Sequence, residues 1–470
     1  MENTKTSARA KRQKMMLEDP MIRVIPTMAV PMIISSVIDS IYNLADTFFV
    51  SGLGETATAA VAVNDSLMNI LRAIAMGFAL GASSYISRLM GAKQDDRASN
   101  VATTTLTIGC MFSLLIGLIS FAFKGTIVNW LGSTAEAHRY SVDYATWITL
   151  AAPFTTANLI LNQLLRSEGS THYAMIGMCS GCILNVALDP LFINLFGWGV
   201  AGAAGATALS KIFSCIVLGM PYIRKRAMLE ISPKHFYIDF ENVREVARMG
   251  IPAFLRMSLM SLGGIVTNNV AKGFGTAVLA GIAVANKLYR LIASVIMGFS
   301  QGFGPVAGFC WGARKYKRVK ESFFTTCGIG FTGALILGVL MFIFAKPLIG
   351  IFNSSGNETM LRIGAFKIRS LCIVFIPHIF VMVTSNLYQS LGKPVGNLIL
   401  SMSRQLLVLI PLVLIVPRFF GAEGLACCQA LSDLISGICL ALPFAVSMLR
   451  KINRLKDGEP APFGRAGIRA

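Results

Sequence analysis

Charge is scarce in this chain: 14% of its 470 residues are Asp, Glu, Lys or Arg, against roughly 25% in an ordinary soluble domain. Acids are the scarcer sign, 23 against 42 Lys and Arg, and there are four histidines. No H-E-x-x-H, G-x-S-x-G or paired acidic metal motif occurs, so the familiar signatures of metal-dependent and serine hydrolases are missing and no enzyme activity is expected. A membrane-embedded enzyme remains the alternative from a different class. No secretory signal is expected, because residues 1–20 are polar and basic and the apolar run that follows is too long for an h-region. That first run is expected to stay as a transmembrane anchor. The ten cysteines sit mostly inside apolar segments, and the C-x-x-C of Cys179 and Cys182 has no second pair or histidine cluster nearby. They read as small buried hydrophobes, and no metal cofactor or other cofactor is expected. The net charge of +19 is not gathered on one compact domain, and its bases fall in the gaps between apolar runs, so nucleic acid is not an expected partner.

What the chain has in abundance is bilayer-length hydrophobic sequence. Hydrophobic residues make up 54% of it, and runs long enough to cross a membrane as helices number twelve. Their expected limits are about 24–50, 57–87, 100–123, 138–165, 172–195 and 199–221, then 245–271, 278–308, 321–345, 362–390, 394–416 and 422–449. With a cytoplasmic N-terminus, the inner segments hold most of the bases, among them Lys5, Arg9, Lys11, Arg12, Lys14, Arg88, Arg166, Arg224 to Arg226, Arg314 and Arg450 to Lys456. The outer loops offer little beyond Lys124, Lys272, Lys346 and Arg418. This asymmetry predicts a multi-pass protein of the cell (plasma or inner) membrane with both termini cytoplasmic. The basic tail is also suited to anionic lipid.

The chain repeats itself. A shift of 221 residues lays Pro31 on Pro252, Gly52 on Gly273, Gly54 on Gly275, Gly77-Phe78 on Gly298-Phe299, Gly81 on Gly302 and Arg97 on Arg318, and later matches such as Ala208-Leu209-Ser210 with Ala430-Leu431-Ser432 need one residue more. Each copy holds six spans, so both enter the membrane in the same sense and form two parallel bundles related by an axis along the membrane normal. The expected divisions are a basic tail (1–23), an N-terminal bundle (24–221), a linker (222–244), a C-terminal bundle (245–449) and a tail (450–470). All are predicted cytoplasmic except the bundles. The fold class is all-α, twelve transmembrane helices in two six-helix bundles around a central cleft, a form suited to alternating access. Pro31 and Pro252 each remove a helical hydrogen bond inside the first span of a bundle and tend to kink it.

Against this apolar background, Asp39, Asn43 and Asp46 recur at spacings of four and three along one face of the first span. An ionisable group at bilayer depth costs about 2.5–3.5 kcal/mol, so it marks a functional site by default. Asp46 and Asp189 lie roughly 6–9 Å below the outer end of their spans, Asn185 is one turn deeper than Asp189 on the same face, and Thr207 reaches a similar layer. Asp65 lies there too, with Arg72 on its face as an expected partner; for Asp39 the expected internal partners are Tyr42 or a lysine.

The run Asn43-Leu44-Ala45-Asp46-Thr47-Phe48-Phe49-Val50 with Gly52-Leu53-Gly54, the stretch Gly81 to Lys93, Arg166-Ser167-Glu168-Gly169 and Asn185-Val186-Ala187-Leu188-Asp189-Pro190 together resemble multidrug and toxin extrusion (MATE) transporters of prokaryotic type. The resemblance covers nearly the whole chain. It implies a secondary active exporter of cationic or amphipathic small molecules, driven by inward H+ or Na+. It further implies an ion-coupling site at Asp46, Asn185, Asp189 and Thr207, which would also ligate Na+ if that is the ion, with Asp39, Asn43 and Asp65 as secondary cleft candidates. Two carboxylates facing one low-dielectric pocket cannot both ionise cheaply and can exchange a proton, while carboxylate, amide and hydroxyl oxygens can instead hold a hard cation.

The second copy lacks the acidic pair. Asp39, Asn43 and Asp46 map to Met260, Gly264 and Thr267, and Asn185 and Asp189 to Leu406 and Ile410. Its one deep acid, Asp433, aligns with Lys211 and has Arg404 as an expected partner, and His378 reads as a packing residue. Coupling is therefore expected in the first bundle alone, with methionines such as Met257 and Met260 offering a deformable wall in the second. A flippase for lipid-linked saccharides, of the same wider superfamily, is the main rival. It would be expected to line its cleft with cations for phosphate, whereas the acids here lie in spans 1, 2 and 5.

Overall fold

Inside a bilayer no water is available to satisfy backbone N–H and C=O groups, so a spanning segment must close its own hydrogen bonds as a helix. A computed structural model describes residues 12–351 and 357–460, and among them there is no strand. Lys5, Arg9 and Lys11 of the basic tail, and residues 461–470 of the C-terminal tail, lie outside the described residues.

The first six long helices are α1 (Met21–Ser51), α2 (Glu55–Gly91), α3 (Asp95–Ala122), α4 (His138–Ser167), α5 (Thr171–Pro190, continued by a π turn Leu191–Leu195) and α6 (Gly199–Ile223). After the linker come α7 (Phe240–Lys272), α8 (Thr276–Gly312) and α9 (Tyr316–Gly350). The tenth span was expected as one helix, but it consists of two arms, Glu358–Ile373 and Phe375–Ser390, bent by 56°. Pro377 has no N–H to give the Ile373 carbonyl, and the second arm restarts with His378 N–H on the Val374 carbonyl at 2.9 Å. Pro394–Asn453 then runs on as 60 helical residues, broken where Gly421 takes φ 58, ψ −145. The chain doubles back there: Gly424 lies against the Val416 carbonyl, and Ser432 Oγ donates to the Arg404 carbonyl at 2.6 Å. Residues 394–420 and 422–453 are thus α11 and α12, the two arms of the tenth span together are α10, and the described residues form an all-α membrane protein of twelve spans. The π turns adjoin prolines, Pro190, Pro411 and Pro443, whose missing N–H and bulky ring open the i→i−4 ladder.

The backbone repeats as the sequence does. Gly54 (φ 102) and Gly275 (φ 99) precede α2 and α8, and Lys93 (φ 60) and Arg314 (φ 57) take the left-handed conformation just beyond the same two helices. Exposed apolar rows on α3 (Leu114, Leu115, Leu118) and α9 (Leu335, Ile336, Val339) are the faces left for acyl chains.

The chain forms two compact units whose limits do not follow the linker. The first comprises Ile34–Phe254 with the described residues up to Glu18; the second comprises Asp19–Ile33 and the described residues from Leu255 onward. The breaks fall two residues after Pro31 and Pro252. In the first unit the amino-terminal half of α7 packs on α2 at glycine: a Cβ on Gly81 would collide with the Val246 carbonyl, and one on Gly250 with the Gly77 carbonyl. Polar contacts surround this seam. Tyr85 Oη donates to Asn242 at 3.1 Å, Arg97 bonds Asn242 and Glu241, and the fully buried Arg88 faces Glu245 at 3.8 Å. In the second unit the amino-terminal half of α1 meets α8 at the matching glycines, Gly298 against Ile33 and Gly302 against Ala29. There Met21 and Val24 stand where the first unit has Asn242 and Glu245, so the same backbone joint is apolar. A core of Val50, Leu67, Tyr144, Ile148 and Ala203 fills the first unit, and Ile282, Ile363, Leu409, Val413 and Leu425 fill the second.

The linker is fastened to the first unit by side chains. Glu168 accepts the Met228 and Leu229 N–H groups at 2.8 and 2.9 Å, and Asn100 donates to the His235 and Tyr237 carbonyls. Burial pushes the Glu168 carboxyl above its ordinary range, and the two N–H donors and nearby Arg12 pull it back. Gly81→Val should destabilise the protein by about 1–3 kcal/mol or more, because its side chain meets backbone rather than a movable group. Gly219→Ala, which opens onto free space, should change little. Thermal unfolding in detergent measures both.

Candidate functional site

All four residues of the expected ion site belong to the first unit, and three of them are joined directly. Asp189 is fully buried near the end of α5, Asn185 lies one turn earlier on the same face, and Thr207 faces them from α6. In the amide orientation that pairs donors with acceptors, Asn185 donates to Asp189 Oδ2 at 2.9 Å and accepts from Thr207 Oγ1 at 3.3 Å and Thr207 N–H at 3.1 Å. The amide is thus a bridge that leaves the second carboxylate oxygen of Asp189 for another partner. α6 can come this close to α5 because Gly202 sits on the Phe192 carbonyl, where a Cβ would lie at 2.7 Å.

Asp46 approaches from α1, within electrostatic range of Asp189 and of Asp65 on α2. Its Oδ1 is buried and has no hydrogen-bond partner among the described residues. An acceptor in that condition needs a proton, a cation or a water to satisfy it.

Two tyrosines complete the pocket. Tyr42, one turn before Asp46, is buried with its hydroxyl beside Thr207. Tyr144 of α4 is 2% exposed and lies within electrostatic range of Tyr42, Asp46, Asp65 and Asp189. Tyr144 carries no charge to mark it in the sequence, and the one signal for it there is its place six residues into the fourth span, at the depth of Asp46. Below the acids a small polar cavity continues between Asn185 and Thr207 toward Lys211, whose Nζ lies 5.6 Å from the Tyr42 ring centre.

The secondary candidates separate. Asn43 spends its amide on the Asp39 backbone carbonyl within the helix. Half-buried Asp39 lies within electrostatic range of Tyr42, one of its expected partners, and of the buried Arg166 of α4. Asp65 is exposed on α2 and adds its charge to that of Asp46. Cys179 and Cys182 are free thiols on α5.

In the second unit, Asp433 of α12 is fully buried and accepts from Arg404 Nε on one oxygen while meeting His378 Nδ1 at 3.1 Å on the other. The expected Arg404 partnership is present, and His378 is hydrogen-bonded within the fold. This acid is internally satisfied where Asp46 is not.

Comparison with known proteins points in one direction. The MatE family model matches the chain twice, over residues 31–191 and 252–415. The chain is similar to the multidrug export protein MepA of Staphylococcus saprophyticus, 26% identical over 417 residues that span 88% of this chain and 91% of that one. To MepA of Staphylococcus aureus it is 25% identical over 410 residues, 87% and 90% of the two chains. Among solved structures it resembles an outward-facing multidrug resistance MATE family transporter of the MOP superfamily, with TM-score 0.88, 26% identity and coverage of 93% and 98%. It also resembles a MOP superfamily transporter from Pyrococcus furiosus, whose reversed binding-pocket polarity suggests a different function for that protein, with TM-score 0.89, 25% identity and coverage of 94% and 99%.

The Asn185 bridge can be tested by stability alone. Asn185→Leu leaves Asp189 buried without its donor and should cost about 1–3 kcal/mol, whereas Thr207→Val removes one ordinary hydrogen bond and should cost about 1 kcal/mol. Thermal unfolding of the purified protein measures the difference, and equal losses would count against the bridge.

Proposed function

The chain belongs to the MatE family, and from that premise we propose that it is a secondary active multidrug exporter of the plasma membrane, with both termini cytoplasmic. It moves cationic or amphipathic small molecules outward in exchange for inward H+ or Na+. The observation that carries this reading is the pairing of a fully buried Asp189, bridged by Asn185 to Thr207, with the unsatisfied Oδ1 of Asp46 in the same pocket.

The chemistry follows from the low dielectric of the site. Two nearby carboxylates repel when both are ionised, so the pocket is stabilised by taking up one positive charge. A proton can sit on either acid. A sodium ion can be held by carboxylate oxygens of Asp46 and Asp189 with the Asn185 and Thr207 oxygens beside them. Binding of either favours the conformer that shields the neutralised pair, and release to the cytoplasm restores the negative pocket. A cationic substrate competes for the same negative charge, which ties its export to ion entry by linkage. Coupling then lies in the first unit, because Asp433 in the second is already neutralised by Arg404.

Efflux of ethidium from proteoliposomes provides the test. Asp46→Asn and Asp189→Asn should each lower ion-driven efflux to the leak level while the protein still folds and inserts. Normal transport by both variants would sink the coupling assignment. A sodium gradient imposed alone, and a pH gradient imposed alone, identify the ion.

A further inference from the structure

The two copies differ at the far end of their sixth helix. Pro221 of α6 aligns with Pro443 of α12. In the first copy the helix stops two residues later, at Ile223, and the chain turns through Lys225 (φ 53), with the Arg226 and Ala227 N–H groups closing on the Pro221 carbonyl. Glu168 then holds the Met228 and Leu229 N–H groups. The second copy has Leu391 at the position of Glu168, next to the aligned pair Gly169 and Gly392, so that position offers no carboxylate to fold the chain back. α12 instead runs on for ten residues beyond Pro443, to Asn453.

This extension carries a groove of about 390 Å³, lined by Pro443, Val446, Ser447, Arg450, Lys451 and Arg454. Spacings of three, four, seven, eight and eleven residues from Pro443 put the lining on one face of the helix. That face is graded along its axis: Pro443 and Val446 are exposed and apolar, the Ser447 hydroxyl follows, and the exposed Arg450, Lys451 and Arg454 close it. From Pro443 to Arg454 the helix rises roughly 16 Å. The polar layer on each side of a bilayer is about 5–8 Å deep, so a single face reaches from acyl chains through the phosphate layer.

No acid lines the groove. Among the described residues neither Arg450 nor Arg454 makes a hydrogen bond or an ion pair. Asp457, the nearest acid along the chain, is turned to α9, where its Oδ1 accepts the Lys317 N–H at 3.2 Å. Asn453 accepts from Lys320 Nζ at 3.0 Å, and Tyr316 Oη donates to the Glu459 carbonyl at 2.7 Å. The extension is therefore fastened to α9 within its own unit, and the basic face is held ready without a ligand.

We propose that this groove binds an anionic phospholipid, its phosphate on Arg450 and Arg454 and its acyl chains along Pro443 and Val446. Charge and grading together select that occupant. A guanidinium is a planar fork of donors that matches phosphate oxygens, and two of them one turn apart can share one phosphate. A zwitterionic lipid would bring a cationic headgroup to a wall that is already positive, and a soluble anion would leave the apolar end of the groove uncovered. The site stands apart from the exporter reading, since it needs neither an ion gradient nor a transported molecule.

Native mass spectrometry of the purified protein, released from micelles with equal phosphatidylglycerol and phosphatidylcholine of the same acyl chains, provides the test. The wild type should retain phosphatidylglycerol in preference. Arg450→Gln and Arg454→Gln should each lower the ratio of the two lipids about fivefold, the attraction expected of one basic residue at an anionic surface, and the double variant about twentyfold. Arg450→Lys should keep most of the preference. A packing defect would lower both lipids together and leave the ratio where it was. Arg226→Gln and Lys234→Gln, which remove the same charge from the linker, should not move it. Equal retention of the two lipids by the wild type overturns the proposal, and so does an equal fall in the linker variants, which would mean diffuse attraction to basic surface. Displacement of the lipid by glycerol phosphate as readily as by phosphatidylglycerol would make this a site for free phosphate and overturns it as well.

Discussion

A polar group inside a membrane has few places to go, and this constraint shapes the whole molecule. Backbone groups are satisfied by helices, so the chain is helical wherever it is apolar. Side-chain charges are satisfied by partners in the fold, or by something that enters from outside. Asp433 takes the first course with Arg404 and His378, as Glu168 does at the membrane edge with the linker N–H groups. Asp46 does not, and its lone buried oxygen is the feature from which ion coupling is argued.

Duplication explains why both courses occur in one chain. The two copies share glycine joints, left-handed residues at matching helix ends, and breaks between compact units at matching places. Such features belong to the backbone, and drift in side chains leaves them intact. Charge is free to diverge on that common frame. The seam between α2 and α7 is polar where that between α8 and α1 is apolar, Lys211 stands where the other copy has Asp433, and Asp65 where it has Asn286. The duplicated scaffold thus carries unlike charge in its two halves.

The sequence made the architecture largely legible because the relevant signals are local. Twelve apolar runs, their punctuation and the shifted repeat need no knowledge of contacts. The departures have local causes that a run-length reading overlooks: the tenth span breaks because Pro377 cannot donate, and α11 and α12 are separated by one left-handed glycine rather than by a polar loop. Of the candidate site, the family resemblance picked out Asp46, Asn185, Asp189 and Thr207, and their depth along the spans agreed in placing them in one layer. Tyr144 lies at the same depth but carries no charge to mark it in the sequence.

By itself, then, the sequence determined the helical class, the number of spans, the two copies and the residue types available for a charged site, since each is a property of composition or spacing along the chain. Tertiary structure alone decided which of those residues meet. It set the Asn185 bridge between Asp189 and Thr207, the approach of Tyr42 and Tyr144, the closure of Asp433 onto Arg404 and His378, and the assignment of the leading half of α1 to the unit of the second copy. These depend on contacts between residues tens to hundreds of positions apart. Helical periodicity says which face of a helix is polar, but not which other helix that face will find.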